Sequence, residues 1–121
     1  MIKKEIKYKN FSGETVSEEF HFHLTKVELM TLNIENDGSL LSERLATVEH
    51  TPEGAREVLW IFQRIVASSV GRVSEDGRRF IKNEVYTQDL LQTDAYSHLL
   101  IELVNNPSSA KEFLEGVLPK A

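Results

Sequence analysis

The residues best suited to chemistry in this chain are two histidines, a group of cations and a few scattered hydroxyls. His21 and His23 are two apart in an alternating stretch, so they share one face of a strand, and neutral imidazoles at that spacing can hold a metal ion. No third ligand is tied to them. His50 and His98 are distant, Glu18 and Glu19 would join only through folding, and the chain has no cysteine. Two solvent-facing strand histidines are therefore the preferred reading, and no metal is expected. Arg72, Arg78, Arg79 and Lys82 surround an Asp76-Gly77 turn and could grip a phosphate or an acidic surface. Glu75, Asp76 and Glu84 are interleaved with them, which favours a solvated turn over a nucleic-acid patch. Nucleophile-elbow, phosphate-loop and HExxH patterns are all missing, and no serine near His98 has an orienting partner implied. The expectation is a protein without catalytic residues or cofactor.

These side chains must be carried by one small domain over residues 1–121. Hydrophobic residues make up 40% and charged ones 27%, enough for one modest core and unlike a disordered chain. Nineteen acidic against fourteen basic side chains give a net charge of -5, which argues against a polyanionic partner. The first ten residues, MIKKEIKYKN, lack the apolar region of a secretory signal, and no apolar run approaches the roughly 18 residues of a membrane span. A soluble, cytoplasmic protein is the expected default.

The longest helical pattern covers residues 53–71 and contains the lone tryptophan. Val58, Phe62, Ile65 and Ser69 form one stripe, with Leu59, Val66 and Val70 beside it. Thr51 and Pro52 suit its start, and Gly71 suits a left-handed C-cap. Trp60 and Ile61 widen the apolar face beyond what one stripe needs; Trp60, Phe62, Ile65, Leu99, Leu103 and Phe113 are expected in the core.

Alternation at Ile2, Ile6 and Tyr8, and again at Phe20, Phe22 and Leu24, predicts a hairpin over about residues 2–24. A helical body over about residues 25–118 should follow. It opens with a Thr25–Glu28 capping box and a helix bearing Val27, Met30 and Ile34. Asn36-Asp37-Gly38 breaks that helix, and a second helical pattern covers residues 39–48. The Asp76-Gly77 turn predicts a protruding hairpin or ordered loop. Helices are expected over residues 84–91 and over 94–105, the latter capped by Thr93 and striped by Tyr96, Leu99, Leu100 and Leu103. A last helix is expected from Ser109, boxed with Glu112, to Gly116. The fold class is α+β, predominantly helical, with an N-terminal β-hairpin and five or six helices.

The order of the basic first strand, FHFHLTKVE at 20–28, SEDGRRFIK at 74–82, QTDAY at 92–96 and FLEGVLP at 113–119 resembles a family of small tail assembly chaperones of long-tailed bacteriophages. The resemblance spans nearly the whole chain. Its departure is Val70-Gly71-Arg72-Val73, where similar proteins have a Tyr-Gly pair. What it implies is a non-enzymatic protein of the host cell cytoplasm. Such a protein binds the tape measure protein and keeps it soluble while tail tube subunits polymerise. The tail tube protein and a second copy of the chain are further candidate partners, and nucleic acid and membrane are not. The surplus apolar residues Trp60, Ile61, Val117 and Leu118 are then the expected partner-binding set. A structural virion protein of the tail or head-tail connector is the alternative, and an antirestriction or DNA-binding regulator a third reading disfavoured by charge.

Overall fold

The structure is a computed structural model that describes residues 1–35 and 51–119. Its first element is the expected hairpin. Strand β1 (Ile2–Lys9) and strand β2 (Thr15–Phe22) pair antiparallel from Ile2↔Phe22 to Lys9↔Thr15. Asn10 shapes the turn: its side-chain oxygen accepts from the amides of Ser12 and Glu14, and Gly13 takes the positive φ of 83° that glycine adopts without strain. Ile6, Tyr8, Phe20 and Phe22 are buried on one face, while Lys3, Glu5 and Lys7 lie on the exposed one.

The Thr25–Glu28 capping box forms, each residue's amide donating to the other's side chain, and starts helix α1 (Lys26–Glu35). The expected apolar stripe of α1 is wrong at two positions. Val27 and Met30 are 71% and 61% exposed, and Leu32 is buried in their place. On the inward side, Glu28 and Leu29 are half-buried, and the Glu28 carboxylate accepts from Lys82 Nζ at 2.6 Å. The expected break at Asn36-Asp37-Gly38, the helix over 39–48 and His50 lie outside the described residues.

Helix α2 (Pro52–Ser69) begins as expected, with Thr51 Oγ1 accepting from Gly54 N at 3.0 Å and proline in the first turn. Its end differs. The chain leaves the helix at Val70 in an extended conformation and runs straight into strand β3 (Val70–Val73), so Gly71 is no left-handed cap. A β-carbon on Gly71 would sit 2.5 Å from the Ile81 carbonyl oxygen and 2.6 Å from Phe80 Cε1. The glycine is there because a neighbouring strand passes too close for any side chain.

That neighbour is strand β4 (Phe80–Ile81), joined to β3 through a turn in which Gly77 has φ 74° and Asp76 accepts from Ser74 Oγ and from Arg78 N. Pairing of β2 with β3 through His21↔Gly71 and Phe22↔Val70 makes one antiparallel sheet in the order β1-β2-β3-β4. The hairpin at 70–81 is thus an extension of the N-terminal sheet.

Helix α3 (Glu84–Leu91) is capped by Asn83, and helix α4 (Asp94–Asn105) follows. Thr93 stands at the cap position of α4 without capping it; its hydroxyl donates to Leu90 O. Helix α5 (Pro107–Val117) starts two residues before the expected Ser109. Asn106 accepts from the amides of Ser108 and Ser109, and the Ser109 hydroxyl donates to Glu102. The five described helices and the sheet confirm an α+β fold with an N-terminal hairpin.

One buried cluster joins the layers: Phe20, Phe22 and Leu24 from the hairpin region, Ile61, Phe62, Ile65 and Val66 from α2, Leu99 and Leu103 from α4, and Phe113 and Val117 from α5. Phe22 meets Phe113 edge to face at 5.2 Å. Trp60, expected in that core, is 44% exposed.

Candidate partner-binding groove

The expected partner-binding set separates by burial. Ile61 is fully buried and Val117 is 1% exposed, so both are core; Leu118 is half-buried and packs against the core, and Trp60 stands at the surface. An α-helix with apolar residues at 58, 59, 60, 61, 62, 65 and 66 cannot turn all of them inward. The core takes Ile61, Phe62, Ile65 and Val66. Leu59 and Trp60 are left outside, 39% and 44% exposed.

Helix α4 has the same surplus. Leu99, Leu100 and Leu103 face inward, and Ile101 and Val104 remain 60% and 38% exposed. Because α2 packs against α4, the leftovers of both helices meet. They line an open apolar groove of about 350 Å³ formed by Ala55, Arg56, Leu59, Leu100, Ile101, Val104 and Asn105. Trp60 lies one turn beyond Arg56 on the same helix. The groove is lined by aliphatic side chains with one cation, Arg56, and one amide, Asn105, so it offers contact area and two hydrogen-bonding groups. Sequence reasoning missed Ile101 and Val104. The signal was present in the run Leu99-Leu100-Ile101-Glu102-Leu103-Val104, apolar at five of six positions where one stripe suffices for a core.

The histidines are positioned otherwise than expected. His21 Nε2 lies 2.9 Å from Glu19 Oε1, and the His23 ring packs edge to face on Phe80 at 5.6 Å. Neither is fully solvent-facing: the Nδ1 atoms of both are buried and unpaired. Burial, helped by the positive charges of the chain's amino group and Lys82, holds the His23 pKa below its ordinary value. Among the described residues no three histidine, cysteine or carboxylate groups come together in a way that could hold a metal. His98 is exposed on α4.

Three of the four cations around the Asp76-Gly77 turn are paired within the chain. Arg72 sits 3.7 Å from Asp89 and 4.9 Å over the Tyr86 ring, Arg78 reaches Asp76 at 3.7 Å, and Lys82 is bound to Glu28. Arg79 contributes its backbone amide to Ser74. A phosphate would have to compete with these carboxylates. Beside them a polar cleft of about 160 Å³ opens between β2 and β3, lined by Glu19, His21, Arg72, Tyr86 and Asp89 among others. No described helix is long and apolar enough to cross a membrane.

No curated protein and no solved structure matches the chain. A family model described as phage tail assembly chaperone matches residues 1–121, the entire chain. Matched over its full length, this chain belongs to the phage tail assembly chaperone family.

Proposed function

We propose that this protein binds the tape measure protein and keeps it soluble while the tail tube polymerises, acting in the host cytoplasm and without catalysis. The observation that carries the reading is the groove between α2 and α4, where Leu59, Ile101 and Val104 are exposed together between two helices. A channel walled by two helices and lined by aliphatic side chains suits the apolar face of a third helix. Covering a few hundred Å² of apolar surface at about 25 cal/mol per Å² supplies several kcal/mol before association costs are subtracted. That scale gives a reversible grip, as a factor that must release its client needs. Of the residues expected from sequence to bind, Trp60 retains that role beside the groove, and Leu118 is available only in part.

The test is co-expression of the tape measure protein with the wild-type chain, with Leu59→Asp and with Ile101→Asp. Both positions are surface-accessible, so the variants should fold, and each should lower the soluble fraction of tape measure protein several-fold. Equal solubility with the variants, or with the chain omitted, would overturn the proposal. Presence of the chain in purified mature particles would favour a structural tail subunit instead.

A further inference from the structure

Strand β2 is bonded to β1 over its full length but to β3 at its last two residues only. In an antiparallel ladder alternate residues turn their N–H and C=O groups to opposite sides. The turn bond from Asn10 N to Glu14 O sets even-numbered β2 residues toward β1, and the bond from His23 N to Ser69 O sets odd-numbered ones toward β3. His21 finds Gly71 there. The next pair on that side would join Glu19 to Val73, and it is not made; beside the gap, the Arg72 side chain of β3 meets Asp89 and Tyr86 of α3. Among the described residues, Thr15, Ser17 and Glu19 therefore have no backbone partner along this edge, and all three are exposed.

The outer edge of β1 is defended and this one is not. Strand β1 carries Lys3, Lys4, Lys7 and Lys9, the side chains that discourage edge-to-edge pairing. From Asn10 to Thr25 there is no lysine, arginine or proline; the charges in that stretch are Glu14, Glu18 and Glu19. At the cleft where β2 and β3 part, Asp89 is paired with Arg72 and leaves Glu19 as the remaining carboxylate. At the opposite end, the rigid Asn10–Gly13 turn holds Phe11 out at 92% exposure.

We infer that the open edge of β2 takes an extended, lysine- or arginine-bearing segment of a partner protein as an added strand. Backbone groups of Thr15, Ser17 and Glu19 give the hydrogen bonds, and Glu14, Glu18 and Glu19 select for basic side chains. This surface is separate from the α2–α4 groove and does not depend on what the groove binds.

The probe is a labelled, amidated peptide alternating lysine with valine, about seven residues long, enough at roughly 3.3 Å per residue to run along residues 15–19. Ser17→Pro removes one edge-facing N–H and leaves the β1 ladder its donors; Ser17→Ala removes only the hydroxyl that bonds Glu5. Fluorescence anisotropy should show about tenfold weaker binding for Ser17→Pro, wild-type binding for Ser17→Ala and for Ile101→Asp, and no binding of a peptide with glutamate in place of lysine. Should Ser17→Pro unfold the hairpin, amide exchange on the wild-type protein still decides. Thr15, Ser17 and Glu19 should exchange fast in the free protein and slow on adding peptide, while Val16 and Glu18 are protected throughout. Unchanged binding by folded Ser17→Pro, or equal binding of the glutamate peptide, would overturn the inference. So would protection gained at Ile101 and Val104 in place of the edge, or self-association of the free protein that Ser17→Pro abolishes, since a second copy would then be the occupant.

Discussion

Gly71 gives the sharpest test of how this chain is built, because two physical reasons for a glycine there predict opposite rankings of its replacements. A left-handed cap accepts asparagine better than alanine. A close approach penalises size, so asparagine must be the worse of the two. In the structure Gly71 is a strand residue outside the positive-φ region. Its hypothetical β-carbon falls 2.5 Å from a backbone oxygen and 2.6 Å from a ring carbon, with Lys82 Cγ at 3.2 Å. The oxygen belongs to Ile81, which is itself paired to Arg72, so it cannot yield without opening the β3–β4 ladder. Overpacking of this kind costs about 1–3 kcal/mol, and a clash with fixed backbone belongs at the upper end. Against a total stability of about 5–15 kcal/mol, that is a large fraction. For a chain of this size Gly71→Ala should lower the melting temperature by about 10 °C, and Gly71→Asn by more. Urea and thermal unfolding of the two variants measure it. Asparagine as mild as alanine, or both within about 0.5 kcal/mol of wild type, would refute the close-approach account.

Other consequences are as direct. Phe113→Ala deletes the ring packed on Phe22 at a site 1% exposed and should cost about 3–5 kcal/mol in urea unfolding. Asn106→Ala should lose about 0.5–2 kcal/mol as the true cap of α5, more than Ser109→Ala, and the comparison of their unfolding midpoints checks which residue starts that helix. Acidification should act in two stages. The lowered pKa of His23 means that the native state binds fewer protons than the unfolded chain, so its contribution is full above the ordinary value of about 6.5 and declines as pH falls below it. Burial raises the pKa of Glu28, but bonds from Lys82 and Thr25 more than offset it. The contribution of Glu28 is therefore present above about pH 4.5 and lost as pH falls through its lowered value. Melting temperature against pH should show both stages, and His23→Phe, which keeps a ring against Phe80, should remove the first.

Local chemistry was legible in the sequence wherever a short motif contains its own reason. The Thr25–Glu28 box, the Thr51-Pro52 start and the Asp76-Gly77 turn each form between residues a few positions apart, and the structure has all three. Asn106-Pro107 is a signal of the same kind, a cap followed by proline in the first turn, and it outweighs the Ser109–Glu112 pattern that resembles a box. Tertiary contacts were not legible. Nothing near Val27 and Met30 shows that Leu32 is the residue of α1 that reaches the core, or that Glu28 meets a lysine 54 positions away. Gly71 was noticed for the wrong reason, since its true cause is a strand arriving from residues 80–81. The groove followed the same rule. Surplus apolar residues on α2 were visible, but Leu59 finds Ile101 and Val104 only when α2 lies against α4, and composition cannot say which of Trp60 and Ile61 turns inward. The tail chaperone resemblance reached the family that the whole-chain match establishes, because it used the order of motifs along the chain and not any one site.

The central claim is that the α2–α4 groove holds the tape measure protein, and a photo-activated cross-linking residue placed at Ile101 tests it most directly. Ile101 is 60% exposed at the lip of the groove, and Glu112, exposed on α5, serves as the control position. In cells co-expressing the tape measure protein, irradiation should join the two proteins from position 101, not from position 112, and Leu59→Asp should suppress the product. Equal cross-linking from both positions, or none from position 101 while the tape measure protein stays soluble, would contradict the account.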